Sequence, residues 1–239
     1  MDKIKYLSRI QLFQELELEE LKQIEPVTPI RVVKKGTIIA SPHMDSKILY
    51  LIKSGTVRLY KLSGSGKELT LDLLGKGHVF GEFGSFTTGS ENMYAQAWED
   101  CVICKMEQPQ LEQILREHPQ LSLKLIEIIS NRLKEVEELL EYMAYGSVRR
   151  RLLYLLRKMA EKFGTNWTGT DRRPDEDGWI QLDISITHRE LATMMGSVRE
   201  TVTALLNELT KEHIVRRAGN RKPLQIHWPR LVHALESEE

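Results

Sequence analysis

Cysteine is the scarcest chemistry in this chain, with two thiols, Cys101 and Cys104, among 239 residues. Four-cysteine iron–sulfur ligation within one chain is therefore excluded, and so is a disulfide framework. The two thiols form a C-x-x-C pair in "EDCVICKM", inside a β-forming stretch. Positions three apart on a strand point to opposite faces, so the pair is expected not to converge on a metal or a redox centre. Long apolar runs are also missing. The longest obvious one, Ile48 to Ile52, is far too short to cross a bilayer, and Met1 to Lys5 is too polar for a secretory signal. A cytoplasmic protein that does not enter the membrane is expected.

Catalytic signatures are absent as well: there is no H-E-x-x-H, no G-x-S-x-G and no cysteine with a designated base. Gly66-Lys67 imitates the end of a phosphate-binding loop, but Glu68 follows where Ser or Thr is required and Lys61 stands where the first glycine belongs. No catalytic residue, cofactor or metal is expected, and the chain is not read as an enzyme. An excess of either charge sign is the last thing missing, since 34 Lys and Arg balance 34 Asp and Glu. The balance is uneven along the chain: net −3 up to residue 145 and +3 from 146 onward. That difference permits nucleic-acid binding by the second part without requiring it.

What is present divides into segments. From about Ile30 to Met106 short β-forming runs such as "VVKKGTIIA", "ILYLIKSGTVRLYKL" and "KELTLDLLGKGHVF" are broken by glycines, the pattern of a β-roll or small barrel. "SGSG" at 63–66 reads as a hairpin tip. After Pro109 the period changes. Ile126, Ile129, Leu133, Val136, Leu140 and Met143 repeat at alternating steps of three and four, an a/d seam flanked by Arg132, Lys134, Glu135 and Glu141. Such a seam suits pairing of two copies of one long helix, the alternative being that the stripe packs on the chain's own roll. Gly146 in "AYGS" marks a hinge, and residues 164–178 lack periodicity and read as a loop. The expected organisation is a sensing roll over 1–108, a dimerisation helix over 109–145 and a further domain over 146–239.

The most informative stretch is "THRELATMMGSVRETVTALLNELTKEHIVRR". Thr187 with Glu190, and Ser197 with Glu200, each have capping-box spacing, so two helices are expected to start ten residues apart with Gly196 turning the chain between them. Ala192 is small where two crossing helices touch, and Leu191, Met195, Val202 and Leu205 supply a shared core. This is the pattern of a helix-turn-helix. At 100° per residue Arg199, Glu200, Thr203 and Asn207 share the face opposite that core. An arginine there can bond guanine O6 and N7 together, and a glutamate can accept from cytosine N4. The alternative is a solvated arginine beside a glutamate spent on capping its helix. "IVRRAGNRKPLQIHW" then reads as a two-stranded wing carrying Arg216, Arg217, Arg221 and Lys222 toward phosphates.

In this order of parts, and above all in "GSVRETVT", the chain resembles the cyclic-AMP receptor and fumarate–nitrate regulator (CRP/FNR) family of bacterial transcription factors. The resemblance implies an α+β fold with an N-terminal cyclic-nucleotide-binding-like β-roll, a long dimerisation helix and a C-terminal winged helix-turn-helix. It further implies a homodimer on a near-palindromic double-stranded operator, RNA polymerase as a partner, base contacts from Arg199 and Glu200, and Ser197, Thr201 and Thr203 near backbone or bases. Where family members often carry a further arginine, this chain has Ala204.

The stretch "GHVFGEFGSFTTGSENMYAQA" is similar to the family's phosphate-binding cassette, with Gly81 and Glu82 matching. Asn92 and Met93 replace the Arg-Ser or Arg-Thr pair that holds a cyclic phosphate, a loss of charge-assisted bonds worth roughly 1.5 to 3 kcal/mol. Val136 and Glu137 stand near the positions where cyclic-AMP receptors place hydroxyl residues against the base. The expected effector is therefore a small molecule other than cyclic AMP, or none. Haem ligation has no support either, since His43 and His78 are the roll's only histidines and lie in no ligand motif. The competing function is a regulatory effector-binding module that acts through a protein partner instead of DNA.

Overall fold

A computed structural model describes residues 3–44, 47–66, 68–83, 86–87, 93–165, 177–217 and 223–238, with backbone only for Lys3, Val27, Glu82, Phe83, Phe86 and Thr87. The chain divides into two compact units, 1–136 and 137–239.

Among the described residues the first unit opens with helices α1 (Lys3–Leu7) and α2 (Leu18–Ile24) and continues into nine strands: β1 (Ile30–Val33), β2 (Ile38–Ala40), β3 (Ile48–Ser54), β4 (Val57–Leu62), β5 (Glu68–Leu74), β6 (Val79–Phe83), β7 (Phe86–Thr87), β8 (Tyr94–Ala97) and β9 (Cys101–Glu107). They form two antiparallel sheets, ordered β1-β9-β3-β6-β7 and β2-β8-β4-β5. This is the roll that the alternating runs announce, and β4 and β5 pair on either side of "SGSG".

The roll is held from two sides. Its interior packs Val33, Tyr50, Ile52, Val57, Leu59, Phe80, Ala95, Cys101 and Ile103 into one apolar cluster. A second cluster sets the other face of the five-stranded sheet, through Leu49, Leu51, Cys104 and Met106, against Leu7, Phe13, Leu21 and Leu111. Strand alternation thus sends Cys101 into one core and Cys104 into the other, as their spacing requires. The Cys101 thiol donates to the carbonyls of Thr56 and Glu99, and burial pushes its pKa up to about 11, so it behaves as a small apolar side chain.

At Gly81 the backbone has φ +130°, and a Cβ would strike the Ile48 carbonyl oxygen on the paired strand. Only glycine fits that close approach. The glycine of the cassette is thus a folding requirement of β6, whatever ligand the roll takes.

The continuous helix expected over 109–145 is two helices, α3 (Gln108–Glu117) and α4 (Gln120–Tyr145). The break falls at His118, held at φ −128°, ψ 74° immediately before Pro119. Proline disfavours the helical region for the residue before it, which ends α3 there. On α4, Leu121 and Leu125 are buried and Ile128 and Ile129 pack partly on the roll's helical cluster. Ile129, expected in the seam, thus packs in part on the chain's own core. Ile126, Leu133 and Leu140 remain 60%, 59% and 62% exposed, with Leu123, Val136 and Met143 also exposed.

The second unit takes the end of α4, then α5 (Val148–Phe163), β10 (Gly164–Thr165), β11 (Trp179–Leu182), α6 (His188–Met194), α7 (Arg199–Lys211), β12 (Val215–Arg217), β13 (Leu224–His227) and α8 (Trp228–Glu236). Its sheet runs β10-β11-β13-β12, antiparallel throughout. α5 packs on α8 and β11, burying Leu152, Leu156, Met159, Leu231 and Leu235. The hinge segment is braced by the last turns of α4. Tyr142 stacks on Tyr154 at 4.1 Å, and Glu138 pairs with Lys158 at 2.7 Å. Among the described residues no helix is long and apolar enough to cross a membrane.

Candidate nucleic-acid interface

The interface is built on the α6–α7 pair. Thr187 caps α6 reciprocally with Glu190: the Thr187 hydroxyl accepts from the Glu190 amide at 3.2 Å, and the Glu190 carboxylate accepts from the Thr187 amide at 2.6 Å. Thr187→Ala is expected to lower the melting free energy by about 1 kcal/mol through loss of that cap. Thermal denaturation of the full chain checks it, and an unchanged melting temperature would show the cap to be idle.

Gly196, at φ +61°, turns the chain, with the Ser197 amide donating to the Ala192 carbonyl at 2.9 Å. The second capping box does not form. Val198, extended at φ −106°, ψ 153°, is the N-cap of α7 and makes no side-chain cap bond. α7 therefore begins one residue later than the Ser197–Glu200 spacing assumes, which puts Ser197 outside the helix and Glu200 at its second residue. The consequence favours chemistry at the surface, because the Glu200 carboxylate is not spent on capping. Burial follows the helical wheel: Val202, Leu206 and Leu209 are buried, Leu205 is half-buried, and Arg199, Glu200, Ala204 and Asn207 are exposed. Leu191, Ala192 and Met195 complete the buried contact between α6 and α7.

Thr201 and Thr203 are half-buried, and Thr203 is engaged within the protein. Its hydroxyl donates to the Arg199 carbonyl at 2.8 Å and lies 2.9 Å from His188 Nδ1. The hydroxyl expected to face DNA is thus held in a bridge between α6 and α7. Sequence reasoning passed over His188, because the pairing spans 15 residues and joins two helices.

The wing forms as two strands, with Arg216 opposite Gln225 and Arg217 opposite Leu224. Arg216 donates to the Gln225 side chain at 2.7 Å and lies 3.9 Å over the Trp179 ring, a cation–π placement. Arg217 donates to the Ile186 carbonyl at 2.9 Å, two residues before α6 begins. Both arginines are otherwise exposed. Arg221 and Lys222 lie outside the described residues. Below the site, Arg149 of α5 pairs with Glu212, the C-cap of α7, at 2.7 Å and with Glu238 at 2.6 Å, and Arg151 donates to the Met195 carbonyl at 3.2 Å. No sequence pattern announces these ties, since the partners are 44 to 89 residues apart.

Two family models match the chain: the cyclic nucleotide-binding domain over residues 30–118 and the Crp-like helix-turn-helix domain over 148–233. The global nitrogen regulator of Synechocystis is 30% identical over 203 residues, covering 84% of this chain and 85% of its own. This chain belongs to the CRP/FNR family of transcription regulators. The cyclic AMP receptor protein of Thermus thermophilus is likewise 30% identical, over 205 residues, covering 86% of this chain and 88% of its own. Among solved structures, a CooA mutant from Carboxydothermus hydrogenoformans has a TM-score of 0.71 at 26% identity and covers 88% of each chain.

As a CRP/FNR regulator the protein carries its helix-turn-helix and wing inside the second matched region, and β1 to β9 with α3 inside the first. α4 lies wholly between them. Gly81 is fixed by strand pairing, and Glu82 is described only as backbone, paired with Ile48 and Thr87. Asn92 lies outside the described residues. Met93 is buried in the same cluster as Tyr50, Ile52, Phe80 and Ala95, and its thioether gives a cyclic phosphate no donor. Val136 and Glu137 are exposed on α4.

Proposed function

We propose that this CRP/FNR regulator is a cytoplasmic homodimer that binds a near-palindromic operator through α7, contacts RNA polymerase from that site, and answers to an effector other than cyclic AMP or to none. The observation that carries the reading is the pair Arg199 and Glu200, exposed on the first turn of α7, with the Glu200 carboxylate not used as a cap and Arg216 and Arg217 on the neighbouring wing. Arg-Glu can read G and C edges together, while the wing arginines and Ser197 and Thr201 hold backbone.

Dimerisation rests on the apolar stripe Ile126, Leu133, Val136, Leu140 and Met143, exposed in the single chain. A two-fold pair would present its recognition helices about 34 Å apart, one turn of DNA. The effector reading rests on the missing cassette arginine and on the burial of Met93 in apolar surroundings.

Selection of bound duplexes from a random pool, by the ligand-free full chain at near-physiological salt, tests the proposal. Enrichment of a two-fold symmetric site with a G and a C fixed in each half is expected. Recovery of a non-symmetric site, or of sequences without fixed G and C, would overturn it.

A further inference from the structure

We propose that His188 is a proton-coupled phosphate contact: its imidazole grips the DNA backbone beside Arg199 and Arg217, and DNA binding draws a proton onto it. The inference rests on the DNA-binding reading above and adds to it a residue and a dependence on pH.

The geometry begins with the bridge to Thr203. The Thr203 hydroxyl has one proton and gives it to the Arg199 carbonyl. The contact with His188 Nδ1 must then be donated by the ring, so Nδ1 carries the hydrogen. That leaves Nε2 as the atom that takes up or releases a proton. The ring is half-buried, on the first residue of α6.

The charges facing it come from the two other elements at the site: Arg199 from α7 and Arg217 from β12. Both are positive, and neither has a carboxylate partner among the described residues. On its own helix the nearest acid, Glu190, has its carboxylate turned back onto the Thr187 amide. Three elements thus bring two fixed cations and one titratable base together, with no carboxylate paired to them among the described residues. A phosphate oxygen is the group that fits, because it answers His188 and Arg217 together while the Arg199 guanidinium is left for a base edge.

The sign of the pH effect follows. In the free protein burial, then Arg217, then Arg199 hold His188 below its ordinary value of 6.5, so the ring is neutral at pH 7. A phosphate laid against His188 and Arg217 offsets the local positive potential and raises that value. Proton uptake then accompanies binding, and affinity climbs as pH falls through the interval between the free and bound values. One site per subunit limits the slope to about tenfold per pH unit per subunit.

Binding of the full chain to a labelled random-sequence duplex and to the selected operator, at fixed salt from about pH 8 to about pH 5.5, reads the slope. The wild type is expected to tighten by tenfold or more on both duplexes, since the contact is to backbone. His188→Asn keeps a donor for Thr203 and removes the titration. It should bind within about twofold of wild type at pH 8 and lose the pH slope. His188→Arg should bind tightly at every pH. A flat wild-type profile, or a His188→Asn profile as steep as wild type, would overturn the proposal while leaving the DNA reading intact. Failure of the wild type to bind either duplex at any pH would overturn both.

Discussion

Leu133→Lys is expected to give a folded monomer that no longer holds a two-fold operator. Leu133 is 59% exposed in the single chain and contributes to neither core cluster. Its replacement therefore leaves the roll within about 0.5 kcal/mol of its original stability. In a two-fold pair the same side chain enters the interface twice. Each fully buried leucine is worth about 1.5 to 3 kcal/mol, and each lysine put in its place must keep its ammonium in water. A loss of at least 3 kcal/mol follows, a rise in the dimer dissociation constant of about 10² or more. Operator affinity falls with it, because the second half-site is no longer bound intramolecularly. Sedimentation equilibrium with a circular-dichroism melt separates lost pairing from lost folding. An intact dimer would remove the α4 seam from the mechanism.

The seam shows how far the sequence could be read. A strict three–four alternation identified the helix and its apolar side, because the period of an α-helix is set by backbone geometry alone. It could not say which apolar residue faces which neighbour. Ile129 satisfies the heptad as well as Ile126 does, yet it turns onto the roll's helical cluster, while Ile126 stays exposed. The break at His118 was legible in principle, since Pro119 stands in the sequence, but continuing apolar residues hid it.

Local chemistry proved readable where a single residue decides the backbone. Gly196 turns at positive φ, Thr187 caps with Glu190, and the two cysteines part to opposite faces. The Ser197–Glu200 box failed for the same kind of reason in reverse: an extended Val198 delays the helix by one residue, a choice that spacing does not encode. The long-range ties were not legible at all. Arg217 on Ile186, Arg149 on Glu212 and Glu238, and His188 on Thr203 depend on which surfaces the core brings together, and no local period carries that information.

Arg199→Ala is expected to have the largest effect on recognition. Arg199 is exposed as the first residue of α7, and its backbone carbonyl is anchored by Thr203, so the substitution removes a guanidinium without disturbing the helix start. A bidentate guanine contact discriminates by about 1 to 3 kcal/mol. Two subunits lose it together, so operator affinity should fall by about 2 to 6 kcal/mol while random-duplex binding changes little. The comparison belongs at about pH 8, because Arg199, after burial and Arg217, also holds the His188 pKa down, and its removal would raise it. Salt then separates the two roles open to an arginine. A base reader leaves the dependence of affinity on salt nearly unchanged, whereas a phosphate neutraliser lowers the slope by about one per lost contact. Glu200→Ala supplies the matching half: with its carboxylate not used in capping, its loss should relax the preference at the cytosine and spare the guanine. Equal losses on operator and random DNA for Arg199→Ala would make the pair a charge patch, and sequence reading would have to come from elsewhere on α7.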